Sequence, residues 1–358
     1  RTRTDKSFKP FFYFVFPLTM MIAGSLLPRI GTRKSAMTGG LFFGVGWLVA
    51  GMGETSFVFT VLGIGCLAGI GAGMAYIVPI AVCINWFPKA KGLVTGIAVA
   101  GFGGGAALIS QAGGFLINYR GLTPFESFTI FGSVFLVLIV LAGFFMKAPD
   151  QVDANKSPRA LQPGKVLAHA NFRMLYFAMF MGLAAGFAVN ANLKELYKGQ
   201  ADAVSLGITA VSLFALANAA GRVVWGAVFD RMRSAAVIQA NLACQAMVLA
   251  VAPFVLHWGT GFWTVALLTG FNYGGVLVLY VSSASRVWGA DHIGQIYGWL
   301  FTSNIPASVS PILAGLVFDH ARSFDPALYG LAGLLIFSAA IIGINAPRIN
   351  SENSLQPA

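Results

Sequence analysis

The segment LANAAGRVVWGAVFDRM, residues 216–232, carries one guanidinium, Arg222, inside a run of small and apolar residues. A guanidinium keeps its charge at any physiological pH. Its rigid fork of N–H donors matches a carboxylate through two parallel hydrogen bonds. Asn218 stands one turn before it and Phe214 one turn further, so on a helix the three share a face. A cation beside an amide and a ring is chemistry for holding a small organic anion. Asp230 lies eight residues on, about 12 Å along a helix, too far to pair with Arg222 directly. Backbone carbonyls, or a reach toward the inner surface, could satisfy the charge instead. Asn218 could equally make a helix–helix hydrogen bond.

Arg222 stands out because the rest of the chain keeps its charges elsewhere. The sequence is 57% hydrophobic and only 10% charged, with a mean hydropathy of +0.76. Soluble domains carry roughly 25% charged residues, so this composition is that of an integral membrane protein. Its apolar runs have helix length and lack the short alternating segments of an outer-membrane barrel. They predict eleven spans: 10–28, 36–53, 57–85, 92–118, 124–146, 173–191, 205–228, 235–256, 261–285, 293–318 and 326–346. All twelve acidic residues fall in loops or at helix ends, so no carboxylate on these spans shares the depth of Arg222. A central arginine costs about 2.5–3.5 kcal/mol on insertion scales. The counter-ion expected from this census is the substrate, with a carboxylate on a helix preceding residue 1 as the other source.

The spans repeat. At a shift of 202 positions Gly24 falls on Gly226, Arg29 on Arg231, Trp86 on Trp288, Gly92 on Gly294, Gly96 on Gly298 and Pro124 on Pro326. One offset relates positions a hundred residues apart, which marks two parallel copies related by an axis along the membrane normal. The span 173–191 then maps before residue 1. The repeat therefore predicts twelve helices in two six-helix halves, with the first helix absent from this chain. The expected organisation is a helical half at 1–146 (helices two to six), a cytoplasmic linker at 147–172, a second half at 173–346 and a tail at 347–358. With the linker inside, fourteen Lys and Arg fall on cytoplasmic segments and eight outside, the expected bias of a multi-pass protein of the cell (inner) membrane. Arg222 is the one left over from 23.

Other chemistries find no footing. The net charge of +11 sits in short loops, which argues for topology rather than a nucleic-acid partner. Cys66, Cys83 and Cys244 lie inside apolar runs, with no disulfide or metal spacing. GIAVAGFGGGAALIS (96–110) and GIGAGM (69–74) lack the strand that a nucleotide loop needs and read as small-residue helix faces. No cofactor, metal or enzymatic site is expected.

The loop GSLLPRIGTRK, 24–34, resembles the loop signature of the major facilitator superfamily, with Arg29 and Arg33 in place and Pro28 where the signature has an acid. The second copy, WGAVFDRMR at 225–233, keeps the acid as Asp230, followed by Arg231. The resemblance implies that Arg29, Arg33, Asp230 and Arg231 are gate parts that bias inward- against outward-open states. Three segments, 85–106, 218–230 and 296–311, resemble more narrowly the oxalate/formate antiporter and monocarboxylate transporter branch. In that branch the residue matching Arg222 binds the substrate carboxylate. Oxalate exchangers carry a lysine where Asn304 stands, and eukaryotic monocarboxylate transporters carry an aspartate where Asn218 stands. One cation suits one carboxylate.

The fold expected is an all-α major facilitator fold. The expected activity is secondary active transport of a small monocarboxylate of the lactate and pyruvate class, proton-coupled and by alternating access. Oxalate/formate-type anion antiport is the alternative. Expected ligands are Arg222 and Asn218, with Tyr273, Phe301, Tyr76 and Asn304 from the middles of neighbouring spans. Tyr13, Phe16 and Met20 are lesser candidates. Partners are the organic anion, a proton and membrane lipid.

Overall fold

The computed structural model describes residues 9–147, 149, 161–197 and 203–350. The charges counted at positions 1–8 and 198–202, residues 148 and 150–160 of the expected linker and the tail from 351 lie outside the described residues. The described chain is helical throughout, without a strand. Eleven of its helical segments are long and apolar enough to cross a membrane, and each predicted span coincides with one of them to within a few residues. Lys91–Asn118 answers 92–118, and Pro124–Phe145 answers 124–146.

In chain order the helices are α1 (Lys9–Ile30), α2 (Thr32–Gly51), α3 (Phe57–Thr60), α4 (Gly69–Trp86), α5 (Lys91–Asn118) and α6 (Pro124–Phe145). They continue as α7 (Pro163–Ala168), α8 (Ala170–Asn192), α9 (Ala203–Arg231), α10 (Ser234–Val255) and α11 (Gly259–Trp288). The last are α12 (Ile293–Phe301), α13 (Asn304–Ala307), α14 (Ser310–Ala321), α15 (Asp325–Ile344) and α16 (Ala346–Ile349). Local chemistry sets several of the ends. Thr123 and Glu126 form a capping box before α6, and Pro124 supplies its first turn, where no N–H is needed. Only Gly31 separates α1 from α2. Its φ of 84° lies in the left-handed region that other residues avoid.

Long apolar side chains of α6, among them Val137, Leu138, Leu141 and Phe145, are exposed. In water that surface would be untenable; against lipid tails it is ordinary. Helices meet instead through small residues. A Cβ on Gly44 of α2 would come within 2.7 Å of the Leu136 Cα on α6.

Two predicted helices are less regular than expected. The span at 57–85 contains a π-helical stretch, Val61–Ala68, and α4 runs on through Pro79. The span at 293–318 is broken into α12, α13 and α14. Pro306 has no N–H to return to the Thr302 carbonyl, and Pro311 none for Ala307, so the ladder lapses around Thr302–Ser303 and Ser308–Val309.

The chain groups into two compact units. One draws on residues up to Pro88, Leu108–Leu161 and Ala290–Ile305, and the other on Lys89–Ala107, Gln162–Gly289 and Pro306 onward. In the first, Trp47 gathers Phe43, Phe128, Phe131 and Phe135 around its ring. In the second, α11 and α9 run against each other at unusually close range, and this contact positions the arginine.

Candidate functional site

The middle of α9 is built from residues that let neighbours approach its backbone. On one side α11 offers Gly270 and Gly274. A Cβ on Gly274 would overlap the Asn218 carbonyl oxygen and come within 3.0 Å of the Arg222 nitrogen. On the other side a Cβ on Gly96 of α5 would overlap the Arg222 carbonyl oxygen. The backbone of residue 222 is thus held between two helices at contact distance. Its side chain has little freedom in where it begins.

Arg222 is only 5% exposed, and so is Asn218 one turn away. The guanidinium Nη1 donates to the Val99 carbonyl on α5. Regular helix geometry also assigns that carbonyl to the Gly103 N–H. The backbone-carbonyl alternative is therefore realised for one donor among the described residues. Arg222 Nε is buried without a hydrogen-bond partner among the described residues. An unmatched charged donor in a low-dielectric setting is costly. The donor left over is Nε, on the side of the fork whose geometry suits a carboxylate in two bonds.

Asp230 does not serve Arg222. Its two carboxylate oxygens accept from the Gly92 and Leu93 N–H groups, each at 2.8 Å, at the first turn of α5. Those N–H groups have no partner within their own helix, and the positive end of the helix dipole favours an anion there. Arg231 sits exposed at the end of α9.

The other predicted ligands fall into two groups. Tyr273 belongs with Arg222 in the second unit, where its ring packs near Phe214 and Phe187 and over Gly186. Tyr76 and Phe301 belong to the first unit, 5.5 Å apart by ring centroids. Phe16, a lesser candidate, completes a triad with them at 5.6 and 5.0 Å. Asn304 lies just beyond the break after α12. Its Nδ2 donates to the Phe301 carbonyl at 2.8 Å, so the amide fastens the break that its neighbours open. Of the first gate loop, Arg29 and Arg33 are exposed, with Arg33 Cζ 5.5 Å from the Phe144 ring centre.

A sequence model of the Major Facilitator Superfamily matches residues 11–311. The chain belongs to that superfamily. Among curated relatives it is similar to the oxalate:formate antiporter of Oxalobacter formigenes, 26% identical over 80% of this chain and 69% of that one. It is also similar to monocarboxylate transporter 10 of Danio rerio, 24% identical over 93% of this chain and 66% of that one. Among solved structures it matches the Escherichia coli fucose:proton symporter FucP with a TM-score of 0.73, at 13% identity over 96% and 90% of the two chains. At that identity the match speaks for the major facilitator fold alone. The expected fold holds, the protein crosses the membrane many times, and its family and fold are those of transporters.

Three further groups have no residue-type signal strong enough to mark them in the sequence. The Val99 carbonyl is a backbone atom. Arg286, at the end of α11, donates to the Met232 and Phe229 carbonyls and lies 3.9 Å over the Phe229 ring, closing the end of α9 beyond Asp230. Gln295 on α12 exchanges two hydrogen bonds with the backbone of Leu161, at 3.0 and 2.9 Å. Arg286 was counted only as one more loop cation, and a glutamine at a helix start is unremarkable without its partner in view.

Proposed function

We propose that this transporter moves small monocarboxylates of the lactate and pyruvate class, together with protons, by alternating access. The observation behind this reading is Arg222: a buried guanidinium with its Nε unmatched and no acid beside it among the described residues. A substrate carboxylate on the open edge supplies the missing charge and the missing acceptors. Asn218, on the same face, is proposed as a second contact to the anion. Tyr273, Tyr76, Phe301 and Asn304 are proposed to line the path of the organic tail. Arg29, Arg33, Asp230 and Arg231 are proposed as gate residues. Carrying one proton with one anion leaves the moving load neutral, which lowers the barrier to reorientation in a medium hostile to charge. The cell (inner) membrane, with the linker on the cytoplasmic face, is the proposed location. Similarity to the oxalate:formate antiporter supports a second reading, exchange of organic anions. The neutral Asn304 leaves only one cation for them.

The test is uptake of labelled lactate into proteoliposomes under an imposed pH gradient, with Arg222→Lys in parallel. Lysine keeps the charge and loses the fork, so uptake should fall by at least tenfold. Full uptake by the variant would sink the role of Arg222. Uptake driven by internal oxalate, indifferent to the pH gradient, would establish the exchanger in its place.

A further inference from the structure

The face of α5 that meets α9 is set by Gly92, Gly96, Val99 and Gly103, spaced four, three and four residues apart. At the first two positions the backbones touch. A Cβ on Gly92 would overlap the Gly226 carbonyl oxygen, and one on Gly96 that of Arg222. At Gly103 the contact changes in kind. The nearest atoms a Cβ there would meet are side-chain tips: Asn218 Oδ1 at 3.6 Å, Arg222 Cζ at 3.7 Å and Nη1 at 3.8 Å. These are ordinary van der Waals distances, so the packing of α5 against α9 leaves room for a Cβ at 103 among the described residues. The same is true at Gly101, Gly104 and Gly105, where a Cβ meets nothing within 4 Å among the described residues. The glycine at 103 therefore serves no close approach of backbones. What its missing side chain leaves bare is the Cζ–Nη1 side of the guanidinium, in a residue 5% exposed whose Nε is unmatched among the described residues.

We infer that Gly103 is a size-determining residue for the acid held on Arg222. This rests on the proposed role of Arg222 as the anion anchor. Residue 222 is pinned by Gly96 and Gly274, and Nη1 is tied to Val99. The guanidinium therefore cannot retreat to make room. The space beside Cζ and Nη1 is bounded at 103, and a substituent on the carbon next to the carboxylate would enter it. A side chain at 103 would take the same volume. It would leave the carboxylate contact open to the smallest acids and close it to those substituted at C2. In a tight apolar site, one methylene too many changes discrimination by roughly 10–200-fold.

The experiment measures binding of formate, acetate, lactate and 2-hydroxybutyrate to the purified full chain, for the wild type, Gly103→Ala and Gly103→Val. Thermal melting of each variant runs alongside. The expected result is formate affinity within about threefold of wild type. The ratio of formate to lactate affinity should rise about tenfold in Gly103→Ala and further in Gly103→Val. A merely structural role would weaken all four acids together and leave their order unchanged. An unchanged ratio in variants that melt normally overturns the inference. If Gly103→Val does not fold, Gly103→Ala decides alone, since its Cβ makes only ordinary contacts. If Arg222→Lys binds all four acids as the wild type does, the anion anchor itself falls, and this inference with it.

Discussion

On α9, Gly226 lies against Gly92 of α5. On α1, 202 positions earlier, Gly24 lies against Gly294 of α12, and 294 is itself 92 shifted by 202. The next pair repeats the relation: a Cβ on Gly96 would overlap the Arg222 carbonyl oxygen, and one on Gly298 would come within 2.8 Å of the Met20 carbonyl oxygen. Both copies of the repeat thus make one backbone contact, a helix end laid across a helix start. Their fastenings differ. At the second copy Asp230 caps the start of α5 with two charge-assisted bonds. At the first copy the matching residue is Pro28, which has no side-chain acceptor to offer. There the start of α12 uses Gln295, at the place of Leu93, and binds the backbone of Leu161 before α7. The close approach is what the architecture demands twice. The polar fastening is what each copy settled separately.

The largest effects should come from the shared part. Gly24→Leu and Gly226→Leu each drive a side chain into a facing carbonyl, and each should lower stability by about 3 kcal/mol, the upper end for overpacking. Thermal melting in detergent checks this, and a normal melt for either variant breaks the equivalence of the two contacts. Next comes the carboxylate. Asp230→Ala strips the α5 start of its cap at about 2 kcal/mol, while Pro28→Asp should bring the first copy about 0.5 kcal/mol of added stability from the α12 helix end. A gain on both, or a loss on both, would show the copies to be less different than their residues. Smaller again, Gln295→Leu gives up the Leu161 bonds at about 1 kcal/mol. Limited proteolysis should then cut near Leu161 several-fold faster, with the melt little changed.

The smallest difference is a matter of pH. His292, before α12, has Ala90 as its counterpart before α5. Burial holds the His292 imidazole below its ordinary range, and Asp291 partly opposes that. As pH falls below about 6.5 the unfolded chain takes up this proton before the folded one does. Stability present above that pH is therefore lost as the pH falls through the folded value. His292→Gln should flatten the melting temperature between pH 7 and 5, and Ala90→Gln should leave the slope as it is.

The positions of the spans were legible because a membrane imposes twenty-residue apolar runs, and such runs survive any detail of packing. Arg222 was legible for a related reason: in a chain that keeps its charges at helix ends, an internal one is conspicuous. The capping by Asp230 was only half visible. The repeat marked Asp230 as a counterpart of Pro28, yet its partners are main-chain N–H groups, which every residue but proline carries. The breaks on either side of α13 had a written cause in Pro306 and Pro311, but hydropathy runs through both and proposes one span. The π-helical stretch at 61–68 left no residue-type mark. Gly103 looked like its neighbours in a glycine run. Only the placement of α9 separates a glycine that lets backbones touch from one that leaves a cation uncovered.

The lengths of α5, α9 and α11 set a depth scale. With 28, 29 and 30 residues they extend about 42–45 Å, against about 30 Å of hydrocarbon in a bilayer. An average tilt of about 20° takes up only a few ångströms. The ends of these helices therefore reach the headgroup layer, where Asp230 and Arg286 keep their water. α15, with 20 residues, just matches the hydrocarbon. Arg222 lies about 12 Å inward from Asp230 along α9, on the dry side of that boundary. Membrane thickness thus becomes a control on this protein: shorter acyl chains bring the wet boundary toward the guanidinium, and longer ones move it away.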